Sequence, residues 1–152
     1  MVIVNKDQLT ESEILEILKF INDFRKEFDI PNLIYDKHIS DICKINAINY
    51  LKSKIQKIEY NAYKNDNLEK PNELSENLIF VNGVRNHKMQ NIKNIIKKWY
   101  AEQKYYDFEN EDNIKYKSCQ NFINLVWESN IKCGFWYSYS NGRCAFCMQF
   151  SE

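Results

Sequence analysis

Two short runs near the C-terminus, Lys132 to Ser138 and Arg143 to Phe150, alternate in β fashion around Ser140-Asn141-Gly142. An Asn-Gly pair between alternating runs is the strongest short-range hairpin signal, because the tight turn needs residues that accept a positive φ. The chain therefore ends in an antiparallel pair. What precedes that pair reads mostly as helix, so helices must bury their apolar stripes against a small antiparallel sheet. The fold class expected is α+β.

The first helix is expected from about Thr10 to Phe28, with Ile14, Leu15, Ile17, Leu18, Ile21, Phe24 and Phe28 as its stripe. Thr10 or Ser12 can cap it, with Glu11 and Glu13 near the positive end of the helix dipole. Pro31 breaks the pattern. A second helix is expected from about Lys37 to Ser53, capped by Asp36, with Ile39, Ile42, Cys43, Ile45, Ala47, Ile48 and Leu51 facing inward. Residues 60–75 are polar, contain Pro71 and read as a surface loop. After a short apolar segment, Asn77 to Val81, a third helix is expected from about Met89 to Gln103. Its core face is Ile92, Ile95, Ile96, Trp99 and Tyr100. An acidic, aromatic loop follows from Tyr106 to Lys117. A fourth helix is expected from Cys119 to about Ser129, with Phe122, Ile123, Val126 and Trp127 on one side. Trp127 and Trp136 are read as core aromatics. No repeat or linker divides the chain, so residues 1–152 are expected to form one domain.

Charge and cysteine usage narrow the function classes. With 21 acidic and 21 basic side chains the net charge is zero, which gives no field for nucleic acid. Lys93, Lys97 and Lys98 read as a solvated helix face. No apolar run approaches the roughly 20 residues of a membrane span. The N-terminus, Met1-Val2-Ile3-Val4-Asn5-Lys6, has neither the n-region and h-region of a signal peptide nor a glycine at position 2. An intracellular location is the expectation, and secretion the alternative if an upstream signal was trimmed. The five cysteines are an odd set, read mainly as buried reduced thiols. Cys144 and Cys147 are three apart on a strand and point to opposite faces, so even with Cys133 they make no zinc ribbon. His38 and His87 have no second His or Cys at helical ligand spacing and read as surface residues.

Five motifs in order carry a resemblance. Asn22 and Arg25 lie on the first helix, and Pro31-x-Leu33-x-Tyr35-Asp36 follows. Then come Ser75-Glu76-Asn77-Leu78, and Trp99-Tyr100-x-Glu102 with Tyr105-Tyr106-Asp107. The last is Cys119-Gln120-Asn121-Phe122-Ile123-Asn124-Leu125-Val126-Trp127 with Cys133-Gly134 behind it. Together they resemble the CAP superfamily: cysteine-rich secretory proteins, antigen 5 and pathogenesis-related class 1. In size the chain is similar to the signal-less Golgi-associated type. The resemblance implies a three-layer α-β-α sandwich. It also implies a central cleft where two His and two Glu converge, and some members bind Zn²⁺ or another divalent ion through the two His.

Here the glutamates match at Glu76 and Glu102, but Asn121 stands at one family His, and Tyr63 is the best match for the other. Amide and phenol oxygens are poor neutral ligands for zinc. The cleft also lacks the side chain best suited to general acid–base work near pH 7. The expectation is a degenerate cleft of Glu76, Glu102, Asn121 and Tyr63, with no metal, no cofactor and no catalytic residue. Glu76 and Glu102 are expected to bond Asn121 and a Tyr hydroxyl. A purely structural role for the two carboxylates and a functional polar pocket both remain open.

Two function classes follow. One is a non-enzymatic domain acting through protein partners, as a component of a larger intracellular assembly. The other is a secreted or lipid-facing domain that binds a sterol or fatty acid. The loop residues Tyr106, Phe108 and Tyr116 are the partner or lipid candidates, where family members that bind sterols use a nearby loop. Hydrolysis in the cleft is a third reading, and the missing histidines weigh against it.

Overall fold

The structure is a computed structural model that describes residues 9–55, 74–109 and 116–152. Helix α1, Glu11–Glu27, starts at a reciprocal cap: the Thr10 hydroxyl accepts from the Glu13 N–H at 3.1 Å, and the Glu13 carboxylate accepts from the Thr10 N–H at 2.9 Å. Strand β1, Ile34–Tyr35, is short and leads into helix α2, Lys37–Ile55, whose first turn is held by the Asp36 carboxylate accepting from the Ile39 N–H at 3.1 Å. Strand β2, Leu74–Asn82, precedes helix α3, Lys88–Tyr100, which tightens into a 3₁₀ turn at Ala101–Tyr105. Helix α4, Tyr116–Val126, is followed by strands β3, Lys132–Ser140, and β4, Arg143–Ser151.

The strands form one mixed sheet in the order β1-β3-β4-β2. β1 runs parallel to β3, and the other pairings are antiparallel. The β3–β4 turn places Asn141 at φ 49° and Gly142 at φ 75°, the two positive values that the Asn-Gly signal requires. β3 and β4 are buried along nearly their whole length because helices cover both faces. Ile17, Ile21, Ile96, Trp99 and Phe122, from α1, α3 and α4, pack on one face against Phe135, Phe146, Met148 and Phe150. Ile39, Cys43, Ala47 and Leu51 of α2 pack on the other against Trp136, Ala145 and Cys147. These layers give the expected α+β sandwich. Gly134 lets α2 come close: a Cβ there would stand 2.2 Å from the Ser40 amide nitrogen.

Several expectations need correction. Leu74 and Ser75 open β2, a nine-residue edge strand paired with β4 from Leu74↔Ser151 to Asn82↔Arg143, where only a loop and a short apolar segment were expected. Leu15 and Ile45 are each 61% exposed, off the rows that face the sheet. Trp127 is 51% exposed, because α4 ends at Val126 and the chain leaves helical phase there, while Leu125 is fully buried. α4 also begins at Tyr116, inside the stretch expected as loop. The rest of the 60–75 loop, with Tyr63 and Pro71, lies outside the described residues. Among the described residues no helix is long and apolar enough to cross a membrane.

Candidate functional site

Helix α4 is interrupted at Cys119, whose φ of −136° and ψ of 20° are not helical. The residues after it start a new first turn, where backbone N–H groups lack carbonyls one turn back. Glu102, on the 3₁₀ turn, meets that turn. One of its carboxylate oxygens accepts from the Phe122 N–H at 3.1 Å, and the other accepts from the Asn121 side-chain amide at 2.9 Å. A carboxylate at a helix N-terminus also benefits from the helix dipole.

Glu76 is held differently. It lies opposite Gln149 in the β2–β4 ladder and points to the α2 face. One carboxylate oxygen accepts from Gln149 Nε2 at 2.7 Å and from Asn46 Nδ2 at 2.9 Å, with Cys147 Sγ at 3.6 Å. Gln149 is buried, and its Oε1 has no hydrogen-bond donor in the structure. The next residue, Asn77, points to the opposite face. Its amide donates to the Asn121 carbonyl at 3.0 Å and its Oδ1 accepts from Asn124 at 2.9 Å. Asn124 Nδ2 also approaches the Glu76 carbonyl at 3.4 Å, and Asn130 donates to the Asn124 carbonyl at 2.9 Å.

The structure thus joins Glu102 to Asn121 by a side-chain bond, and among the described residues it ties Glu76 to that pair through β2 backbone and the Asn77–Asn124 bridge. Tyr63 lies outside the described residues. Sequence reasoning missed the supporting amides Asn46, Asn77, Asn124, Asn130 and Gln149. One signal was available: Asn121 and Asn124 fall three apart, between the apolar residues Phe122, Ile123, Leu125 and Val126.

Asn22 and Arg25 prove to be struts. Asn22 pairs with the Leu33 backbone through both its amide groups, at 2.8 and 3.2 Å. Arg25 is fully buried and donates to the carbonyls of Pro31 and Leu125 at 2.8 Å each, and of Asn130 at 3.1 Å.

The donor set does not fit the zinc that the resemblance implies. Asn121 turns its amide nitrogen, a donor, toward Glu102, and the carboxylates sit in separate bonded sets. Among the described residues no three His, Cys, Asp or Glu side chains converge to hold a metal ion. His38 and His87 are exposed and lie apart from this site. All five cysteines are buried, and none is in a disulfide. Cys144 lies in the core beneath α1, α3 and α4, whereas Cys147 lies with Cys43 beneath α2, the opposite-face arrangement their spacing predicts. Burial pushes the Cys144 thiol up to about 11, and burial followed by the nearby Cys43 and Glu76 pushes Cys147 well up. Burial, then the Glu102 charge, raises Cys119. None of these three is poised as a thiolate nucleophile.

Of the loop candidates, Tyr106 is half-buried and Phe108 is 59% exposed. Phe108 leans on Tyr106 with ring centroids 4.6 Å apart and stacks over Phe28 at 6.4 Å. Tyr116 is the first residue of α4.

The family model described as CAP, cysteine-rich secretory protein family, matches residues 18–150. No curated protein matches the chain in sequence. Among solved structures, NaASP2 with Zn²⁺ superposes with a TM-score of 0.74 at 13% identity, over 96% of this chain and 82% of that one. Venom allergen-like protein 4 of Schistosoma mansoni gives 0.67 at 18% identity, over 90% and 86%. An outer surface protein of Borrelia burgdorferi gives 0.56 at 12% identity, over 100% and 98%. At these identities the likeness is one of fold.

Proposed function

The chain belongs to the CAP, or cysteine-rich secretory protein, family, and from that premise we propose that it is a binding domain without catalysis that works through contact with another protein. One observation carries the reading: the carboxylates of the cleft are engaged by amides, Glu102 by Asn121 and Phe122, and Glu76 by Gln149 and Asn46. Side chains engaged in this way have no neutral imidazole beside them to accept a proton or hold zinc. The cleft serves as a joint between β2, α2, the 3₁₀ turn and α4.

A contact surface is available elsewhere. Trp127 and Ile131 are each 51% exposed and Ile34 is 60% exposed, and the Ile34 N–H donates to the Ile131 carbonyl at 2.9 Å. Trp is among the residues enriched at interface hot spots. We place the protein inside the cell, as a component of an assembly. The test is native co-purification of the tagged protein from its own cells. The reading predicts a defined complex that Trp127→Ala dissolves while the domain stays folded. A monomer, or a complex indifferent to Trp127→Ala, contradicts it.

A second reading, sterol or fatty-acid binding, is favoured by Phe108, exposed on an aromatic bed of Tyr106, Phe28 and Phe122. Solvent extraction and mass spectrometry of native protein distinguish the two. A stoichiometric lipid lost in Phe108→Ala supports this second reading.

A further inference from the structure

A pocket of about 590 Å³ lies away from the cleft, between the start of α3, the loop that follows β2 and the outer part of the β3–β4 hairpin. Val84, Tyr137 and Tyr139 give it apolar walls, and Arg85 and Lys88 give it cationic ones, with His87 between them in the chain. Its volume is in the range of small-molecule sites, which combine apolar walls with a few placed polar groups.

The charge is unevenly spent. Lys88 pairs with Glu13 at 2.9 Å, and Glu13 is fixed further by its bond from the Thr10 N–H. Burial of Glu13 works against its charge, but the Thr10 and Lys88 bonds outweigh this and hold its pKa below the ordinary value. The Glu13–Lys88 pair is thus internally neutral. Arg85 has no carboxylate partner among the described residues, and His87 gives α3 no side-chain cap. The pocket carries a surplus cation on a chain whose net charge is zero.

The wall that bears Arg85 is built, not loose. Buried Asn91 reaches from α3 to both backbone groups of Val84, accepting from its N–H at 3.2 Å and donating to its carbonyl at 3.0 Å. The same amide donates to the Tyr137 hydroxyl at 2.9 Å. One side chain thus fixes the loop, the helix and the hairpin wall together. Arg85 and the two tyrosines line the same pocket; a guanidinium matches an oxyanion in two-pronged geometry, and tyrosine rings offer a surface for an apolar body.

We propose that this pocket is a binding site for a small molecule that carries a phosphate or carboxylate on an aromatic or apolar body, with Arg85 as the anion-binding residue. The site is independent of the cleft and of the contact surface at Trp127.

The test is an amide-resolved NMR titration of the whole protein with phenyl phosphate and with benzoate, repeated on Arg85→Gln and on Lys97→Gln as an exposed cation outside the pocket. Saturable shifts confined to residues 84–90 and the neighbouring hairpin are expected for at least one probe, with a Kd on the order of 1 mM or tighter. Arg85→Gln is expected to weaken binding by about tenfold or more, and Lys97→Gln to leave it unchanged. The proposal is overturned if neither probe gives saturable shifts, if Arg85→Gln binds as well as the parent, or if Lys97→Gln weakens binding as much as Arg85→Gln.

Discussion

The run of α4 that follows its break at Cys119 is held at its two ends by groups of opposite charge, and the two ends are built to different standards. At the C-terminal end, fully buried Arg25 donates to the carbonyls of Leu125, Asn130 and Pro31. At the N-terminal end, half-buried Glu102 accepts from the Phe122 N–H and the Asn121 amide. Both satisfy backbone groups that a helix end leaves open, and both place charge where the dipole favours it. Among the described residues the buried cation has no carboxylate partner and its guanidinium donates to carbonyls, and desolvation draws its pKa below the ordinary value. The anion keeps access to water. The first end is a strut whose loss the fold cannot absorb, whereas the second is a joint that water can partly repair.

That contrast sets an order of effects. Arg25→Met leaves several buried carbonyls without donors, and urea denaturation should show a loss of about 3–5 kcal/mol. A loss under about 1 kcal/mol, the scale of one ordinary hydrogen bond, breaks the comparison. Glu102→Gln removes the charge at the broken turn and sets an amide NH₂ against that of Asn121, which should cost about 1–2 kcal/mol by the same assay. Asn121→Ala removes one half-exposed partner of Glu102, and about 0.5–1.5 kcal/mol is expected. Asn121→His gives Glu102 one imidazole neighbour without a second histidine, so calorimetry should show no zinc binding tighter than about 1 μM. Tight zinc binding by that variant would sharpen the comparison differently, by making the Glu102 end a metal site one substitution from completion.

The two ends were unequally legible in the sequence. Elements read correctly were those whose signal is local: a cap at Thr10, one of the two residues offered, the Asp36 cap, the stripe of α3 and the Asn141-Gly142 turn. β2 was not legible, because three successive polar residues near its start, Ser75-Glu76-Asn77, break the alternation of polar and apolar side chains. Its burial comes from α2 and α4, which arrive from distant parts of the chain. Trp127 was misplaced because periodicity cannot see where a helix ends. At the site, Glu76, Glu102 and Asn121 stood out by resemblance, but the break at Cys119, which gives Glu102 a backbone N–H to hold, is a tertiary feature. The amides of Asn46 and Gln149 could not be assigned to Glu76 before the β2–β4 register was known.

The central claim is that Glu76 and Glu102 are parts of a hydrogen-bonded joint, and calorimetric titration of the purified protein with Zn²⁺ at neutral pH addresses it most directly. The account predicts no submicromolar site, and the same weak background heat from the parent, Glu76→Gln and Glu102→Gln. A submicromolar site present in the parent and abolished in either variant contradicts it.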